Sequence, residues 1–176
     1  MTKKIIAFGA STSKTSINKQ LATYAAKQFE NASIEVLDLN DFEMPIYSND
    51  KENENGIPQL AHDFLAKTGS ADLIIISFAE HNGNYSAAYK NIFDWASRIN
   101  AKVFQQKPVL LLATSPGARG GSSVLGIATS SLPFQGADIK GSFSLPSFYD
   151  NFDAENGIKN EELKNKLLAI IENIEF

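Results

Sequence analysis

Hydroxyl side chains are concentrated in one short segment near the start of the chain. Five of the six residues from 11 to 16 are serine or threonine, and the sixth is Lys14. The segment follows an apolar run that ends at Gly9 and precedes a helical pattern. The first turn of a helix presents unpaired N–H groups and a partial positive charge, so nearby hydroxyl donors complete a phosphate cradle. A polar turn in which Ser16 or Thr15 only caps the helix is the alternative.

We call residues 10–18 the hydroxyl turn, and it matches neither of two common nucleotide-binding motifs. A P-loop needs a glycine immediately before its lysine, whereas Ser13 precedes Lys14. The dinucleotide motif G-x-G-x-x-G is absent because Ser11 stands where it needs a glycine. The sequence therefore disfavours a nucleoside triphosphate or a Rossmann-bound dinucleotide.

Two further segments combine polar side chains with glycine directly after apolar runs. The amide turn, residues 79–85, contains an acid, a histidine, two asparagines and Gly83. The glycine turn, residues 115–121, contains three glycines. Glycine lets a backbone approach a ligand closely because it has no β-carbon. Both turns are therefore candidate ligand-binding segments.

Strands alternate with helices along the chain. Apolar runs and period-two patterns predict strands, and apolar residues three and four apart predict helices. The predicted strands are residues 4–9, 33–39, 71–78, 107–114 and 139–145. The predicted helices are residues 16–31, 58–68, 86–101, 122–132 and 161–175. The polar, acidic segment 49–56 is interpreted as a surface loop.

The third and fourth predicted strands are apolar on both faces, as parallel strands covered on both sides must be. We therefore expect an α/β fold in which residues 1–176 form a single domain, a three-layer α/β/α sandwich. Its five-stranded parallel sheet should have the order 2-1-3-4-5. Ligands bind such sheets beyond the carboxyl ends of the strands where the winding direction reverses, here between strands one and three. The three turns follow strands one, three and four, so the sequence predicts that they form one site.

Composition excludes several classes of protein. The net charge is -4 and the 16 lysines and arginines are scattered, so no nucleic-acid partner is expected. The absence of cysteine excludes disulfides, thiolate catalysis and cysteine-ligated metal. No segment approaches the roughly 20 apolar residues of a membrane span, and the first apolar run is too short for a signal peptide. We expect a cytoplasmic protein with no membrane association and no bound metal.

The amide turn and the helix after it carry a recognisable motif. Glu80-His81-Asn82-Gly83 and the run from Lys90 to Arg98 resemble the P-E-Y-N-G-S-x-P-G-x-L-K-N-x-x-D-W-x-S-R signature of NADPH-dependent FMN reductases. This flavodoxin-like family includes azo- and quinone reductases. The resemblance implies a flavodoxin-like fold with bound FMN. It also implies a homodimer or a dimer of dimers, with the helix after the amide turn near the interface.

The other two turns resemble the same family. Ser11, Ser16 and Asn18 are in register with its G-S-x-R-x-x-S-x-N pattern, and residues 115–121 resemble its glycine-rich loop after strand four. The resemblance covers roughly residues 4–145. It implies that the following residues bind FMN: Ser11, Ser13, Ser16, Ile17, Asn18, Glu80, His81, Asn82, Gly83, Ser115 and Gly117.

The resemblance implies that the protein is an oxidoreductase. Hydride would pass from NADPH or NADH to N5 of FMN and then to a small-molecule acceptor such as a quinone, an azo compound, a flavin or a metal ion. No catalytic acid or base is required, because the cofactor supplies the chemistry. Backbone N–H groups around Asn82 and Gly83 would bond the flavin ring near N5 and O4. Glu80 would bond a ribityl hydroxyl or a backbone amide, or brace the turn, and Arg98 would pair with an acid or a partner subunit.

Some departures from the family pattern bear on cofactor binding. Ser13 stands where the family has arginine, and Ala79, His81 and Ser86 replace proline, tyrosine and proline. Without the arginine, phosphate binding relies on hydroxyls and backbone amides, and the preference between NADPH and NADH stays open. Two alternatives therefore remain: a flavodoxin-type electron carrier, and a binding module that kept the fold but lost the cofactor.

Overall fold

A five-stranded parallel sheet forms the centre of the protein. The computed structural model describes residues 2–176. The strands are β1 (Lys3–Ala10), β2 (Ala32–Val36), β3 (Leu73–Phe78), β4 (Lys107–Thr114) and β5 (Ala137–Leu145). They lie in the order β2-β1-β3-β4-β5, and every neighbouring pair is parallel. The predicted strand order is confirmed.

Seven helices connect and cover the strands in the described part of the chain. They are α1 (Ile17–Ala26), α2 (Asn49–Asn55), α3 (Gln59–Gly69), α4 (Ala87–Ile99), α5 (Ser122–Ser131), α6 (Phe148–Asn151) and α7 (Glu161–Glu172). Short 3-10 turns span Leu39–Phe42 and Leu132–Gln135. Two small antiparallel ribbons pair Glu80–His81 with Asn84–Tyr85, and Phe152–Asp153 with Gly157–Ile158. None of the described helices has the length and apolar character needed to cross a membrane.

Helices pack on both faces of the sheet. Ile5 of β1 belongs to one buried cluster, which includes residues of α1 and α7, while Ile6 belongs to another, which includes residues of α3, α4 and α5. This follows from the period of two in a strand, which sends neighbouring side chains to opposite faces. We call the two sides the α1 face and the α4 face. The three-layer α/β/α sandwich is confirmed.

The interpretation of residues 49–56 as a loop is wrong, because α2 occupies most of this segment. Ser48 caps it by accepting a hydrogen bond from Lys51 N at 3.2 Å, and Gly56 ends it with φ of 73°. The helix contains no apolar residue and none of its residues is buried, so it has no apolar stripe that a periodic pattern could reveal. The helix matters because Glu52 accepts hydrogen bonds from Arg98 Nε at 2.8 Å and Tyr47 Oη at 3.0 Å.

Element boundaries differ from the predictions by a few residues. β2 ends at Val36 rather than at residue 39, because Asp38 caps the 3-10 turn by accepting a hydrogen bond from Asn40 N at 2.9 Å. Trp95 on α4 is 1% exposed and donates a hydrogen bond to Pro45 O at 2.7 Å. It is a core residue, and Arg98 pairs with an acid of its own chain.

Candidate functional site

The hydroxyl turn leads directly into α1, and one of its serines caps that helix. Ser16 is 6% exposed and accepts a hydrogen bond from Lys19 N at 3.1 Å. Ser13 N donates to Ser11 Oγ at 3.1 Å, which closes the turn. Within residues 2–176, the backbone N–H groups of Ile17 and Asn18 have no protein acceptor. Capping and phosphate binding are thus compatible, because the serine hydroxyl can still donate while it accepts.

Gly9 brings this turn close to the sheet. A β-carbon at Gly9 would collide with the backbone of Asn18 and Lys19. Only glycine therefore lets the first turn of α1 pack directly against the end of β1.

Asn18 joins the ends of three elements below the turn. It is 3% exposed, and its Oδ1 accepts hydrogen bonds from Ser77 Oγ at 2.7 Å and Thr114 N at 3.0 Å. Its Nδ2 donates to Thr114 O at 3.1 Å. α1 is thus tied to the ends of β3 and β4, and the asparagine side chain is largely engaged by the protein.

The amide turn is a tight hairpin with an open side. Asn82 and Gly83, its two central residues, have φ of 52° and 76°, the positive values that asparagine and glycine favour in two-residue hairpins. A β-carbon built on Gly83 meets no heavy atom within 4 Å. The backbone of the turn therefore faces free space into which a planar ligand could fit.

Two side chains fix this hairpin to the rest of the molecule. Glu80 Oε2 accepts a hydrogen bond from Val124 N at 3.0 Å in the first turn of α5. Ser86 Oγ donates to Ala10 O at 2.7 Å and caps α4 by accepting from Tyr89 N at 3.3 Å. Glu80 therefore braces the turn through a backbone amide. Ser86, which replaces a proline of the family signature, connects the hairpin to β1.

The glycine turn contains two positions with a left-handed backbone, which glycine adopts without strain. Gly120 and Gly121 have φ of 57° and 74° at the start of α5. A β-carbon on Gly120 would lie 2.9 Å from the backbone of Leu145, so this turn packs tightly against the end of β5. The glycines thus hold the α5 end of the turn against the end of β5.

The three turns meet in one cleft of about 220 Å³. It is lined by Ser11, Ser13, Thr15, Ser16, Ile17, Asn18, Ala79, Glu80, His81, Thr114, Ser115, Pro116 and Tyr149. Eight of the eleven residues implied to bind FMN are among them, whereas Asn82, Gly83 and Gly117 lie outside this lining. Among residues 2–176, no lysine or arginine lines the cleft.

Sequence reasoning missed five lining residues. Ala79, Thr114 and Pro116 adjoin predicted positions, and Thr15 is one of the five hydroxyl residues of the turn but has no place in the family motif. Tyr149 lies beyond residue 145, where the family resemblance ends, and no motif surrounds it. Only the position of its segment after the fifth strand could have suggested it.

A larger cavity of about 490 Å³ lies beside the cleft. It shares Thr15 and Ser16 with the cleft, and Tyr24, Lys27 and Phe152 are among its other lining residues. It receives no residue from the amide turn or the glycine turn. Only the smaller cleft therefore combines the turns that follow β1, β3 and β4.

The hydroxyl turn and the start of α1 are bonded to the segment after β2. Lys19 Nζ lies 2.6 Å from Asp38 Oδ2, and Asn40 Nδ2 donates to Thr12 O at 3.1 Å. The hydrogen bond from Lys19, followed by the one from Asn40 N, lowers the pKa of Asp38 to about 2. Asp38 is therefore ionised at neutral pH and holds Lys19 in a partly exposed salt bridge.

Comparison with known proteins identifies the family. A family model for NADPH-dependent FMN reductases matches residues 3–150. The chain belongs to this family. The NADPH:quinone oxidoreductase of Arabidopsis thaliana is 29% identical over 175 residues, which cover 96% of this chain and 88% of the relative. The NADPH azoreductase of Bacillus sp. (strain OY1-2) is 30% identical over 129 residues, which cover 73% of this chain and 68% of the relative.

A solved structure supports the same fold. The flavoenzyme NAD(P)H:(acceptor) oxidoreductase FerB from Paracoccus denitrificans matches with a TM-score of 0.75 at 21% identity. The match covers 97% of this chain and 93% of that chain. The flavodoxin-like fold is confirmed. Membership of the NADPH-dependent FMN reductases also confirms that this protein is an oxidoreductase that uses FMN and a reduced nicotinamide nucleotide.

Proposed function

We propose that the cleft holds FMN, with its phosphate at the hydroxyl turn and its ring between the amide turn and the glycine turn. The observation that carries this assignment is the free N–H groups of Ile17 and Asn18 beside exposed hydroxyls, at the point where the three turns meet. Such an arrangement fits a phosphate better than any other group of FMN. The open side of Gly83 fits the ring.

Each part of the chain would have a separate task in the reaction. Bound FMN supplies the redox chemistry by taking hydride from NAD(P)H and passing it to the acceptor. The hydroxyl turn binds the phosphate, and the backbone of Asn82 and Gly83 orients the edge of the ring. Glu80 and Ser86 keep that backbone in place through Val124 N and Ala10 O. Fixed N–H dipoles of this kind stabilise negative charge that develops on a bound ring.

A quinone or an azo compound is the acceptor that we propose. The support is the pair of relatives named for these activities, an NADPH:quinone oxidoreductase and an NADPH azoreductase. Ser13 stands where the family pattern has an arginine, a cation that could also hold the additional phosphate of NADPH. We therefore propose that both NADPH and NADH serve as reductants. We place the activity in the cytoplasm, where these nucleotides are kept reduced.

We propose that a second copy of the chain packs against the α4 face, which would make a homodimer. A cavity of about 280 Å³ there is lined by Tyr85 of the amide turn, Phe93 of α4 and Ile127 of α5, among others. Tyr89 Oη and Gln135 Oε1, which belong to lining residues, are the buried side-chain atoms without a partner in residues 2–176. Phe134 next to Gln135 is 76% exposed. An exposed aromatic side chain beside a mainly apolar cavity is typical of an interface.

An absorbance experiment tests the proposed function. Protein is incubated with FMN, desalted, and treated anaerobically with NADPH or NADH. Retained flavin absorbance that either nucleotide bleaches during turnover is the expected result, and transfer to a quinone then completes the cycle. Retained flavin that neither nucleotide bleaches would indicate a flavodoxin-type carrier. Protein that retains no flavin would favour the cofactor-free module.

A further inference from the structure

A phenol stands at the rim of the cleft. Tyr149 lines the cleft and is 68% exposed, and its hydroxyl has no hydrogen-bond partner within residues 2–176. We propose that the Tyr149 hydroxyl donates a hydrogen bond to the FMN phosphate and so makes the site select FMN over riboflavin. This inference rests on the proposed function, because it requires FMN in the cleft.

The position of Tyr149 is fixed by its neighbours. Ser147 N donates to Gly117 O and Phe148 N donates to Ser115 O, both at 3.0 Å, so the segment is bonded to the glycine turn. Phe148 is 4% exposed and stacks on Phe152 with 4.7 Å between ring centroids. The tyrosine therefore extends from an anchored turn, so only its side chain has to be ordered when it contacts a ligand.

The location of this turn indicates which end of FMN it would meet. Phe148 and Phe152 belong to the buried cluster of the α1 face, together with Leu21 of α1. The residues of α4 and α5 that pack near the amide turn belong to the cluster of the opposite face. Tyr149 thus stands on the side of the sheet where α1 begins. That is the proposed phosphate end of the cleft rather than the ring end.

The lack of a cationic side chain in the cleft explains why a tyrosine hydroxyl would matter there. Ser13 occupies the position where the family pattern has an arginine, and the described residues place no lysine or arginine in the lining of the cleft. A phosphate must therefore be bound by neutral donors. With a pKa of about 10, a phenol is far more acidic than a serine hydroxyl and donates a stronger hydrogen bond to an anion. Tyr149 would offset part of the binding that the missing arginine provides.

Affinities of Tyr149→Phe for FMN and riboflavin test the proposal. The variant keeps the ring and removes only the hydroxyl, and both dissociation constants are measured by quenching of flavin fluorescence. We expect the dissociation constant for FMN to rise about tenfold or more, the usual effect of losing one hydrogen bond to a charged group. The constant for riboflavin, which lacks the phosphate, should stay unchanged. Tyr24→Phe is the matched control, because it removes a phenol hydroxyl on α1 outside the cleft lining.

Several outcomes would overturn the proposal. FMN affinity equal to that of the wild type would show that the hydroxyl does not contact the phosphate. Equal losses for FMN and riboflavin would show that Tyr149 supports the ring or the fold instead. Adding Ser13→Arg to Tyr149→Phe should restore FMN affinity, and failure to do so would overturn the compensation between these two positions. Wild-type protein that binds neither flavin would instead refute the proposed function itself.

Discussion

Replacing Asn18 by alanine tests whether this residue braces the site or binds the ligand. Its side chain makes hydrogen bonds to Ser77 Oγ, Thr114 N and Thr114 O. Ser77 and Thr114 are 0% and 1% exposed, so the variant leaves three buried polar groups without these partners. Each such group costs roughly 1–3 kcal/mol, less where a water molecule enters the space. We expect Asn18→Ala to lower the free energy of unfolding by about 3–5 kcal/mol.

Urea denaturation of the flavin-free protein measures this change, with the fluorescence of Trp95, the single tryptophan, as the probe. Asn165→Ala on the exposed side of α7 is the matched control and should change stability by less than about 0.5 kcal/mol. Asn18→Asp keeps the acceptor for Ser77 but buries a carboxylate beside Thr114 O, so it should cost at least as much stability as Asn18→Ala. A loss below about 1 kcal/mol in Asn18→Ala, together with a large loss of FMN affinity, would refute the bracing role.

Three further predictions concern the cleft and its support. Ser16→Asp keeps a good helix cap but places a carboxylate beside the phosphate, so FMN affinity should fall while melting temperature is retained; unchanged affinity would move the phosphate elsewhere. Gly83→Val should abolish FMN binding. Gly56 has a similar φ, 73° against 76°, and equally open space, so Gly56→Val should lose about as much stability as Gly83→Val but keep FMN. A Gly83 variant that retains FMN would contradict the placement of the ring. The pKa of Asp38 is lowered from 3.8 to about 2, so its contribution to stability is present above pH 3.8 and is lost as pH falls through about 2. Because its side chain is 34% exposed, Asp38→Asn should cost only about 0.5–1 kcal/mol at neutral pH; denaturation curves whose difference persists below pH 2 would contradict this origin.

The arrangement of the sheet was predictable because its signals are local. Apolar runs such as residues 107–114 mark buried parallel strands, and the alternation with helices leaves few possible topologies. α2 was missed because its helical signals are Ser48 as a cap and Gly56 as a stop, without an apolar stripe between them. A rule based on hydrophobic period does not detect such a helix.

Site residues were predictable as a group but not in their individual roles. Asn18 matches a family motif, yet its partners Ser77 and Thr114 are 59 and 96 residues away in the sequence. No local pattern reveals that its side chain would be engaged by the strands. Tyr149 shows the opposite case, because it has no motif and reaches the cleft only through hydrogen bonds between its turn and the glycine turn.

The departures from the family pattern preserve the shape of the amide turn, and this argues against a module that has lost its cofactor. Ser86, in place of a proline, both caps α4 and bonds Ala10 O at 2.7 Å. Ala79 is 8% exposed and fits between the buried end of β3 and the hairpin. Gly83, at φ of 76°, leaves open the side of the hairpin that a larger residue would fill. Since the hairpin keeps its bracing contacts and its open side together, the geometry favours an enzyme that still uses this turn.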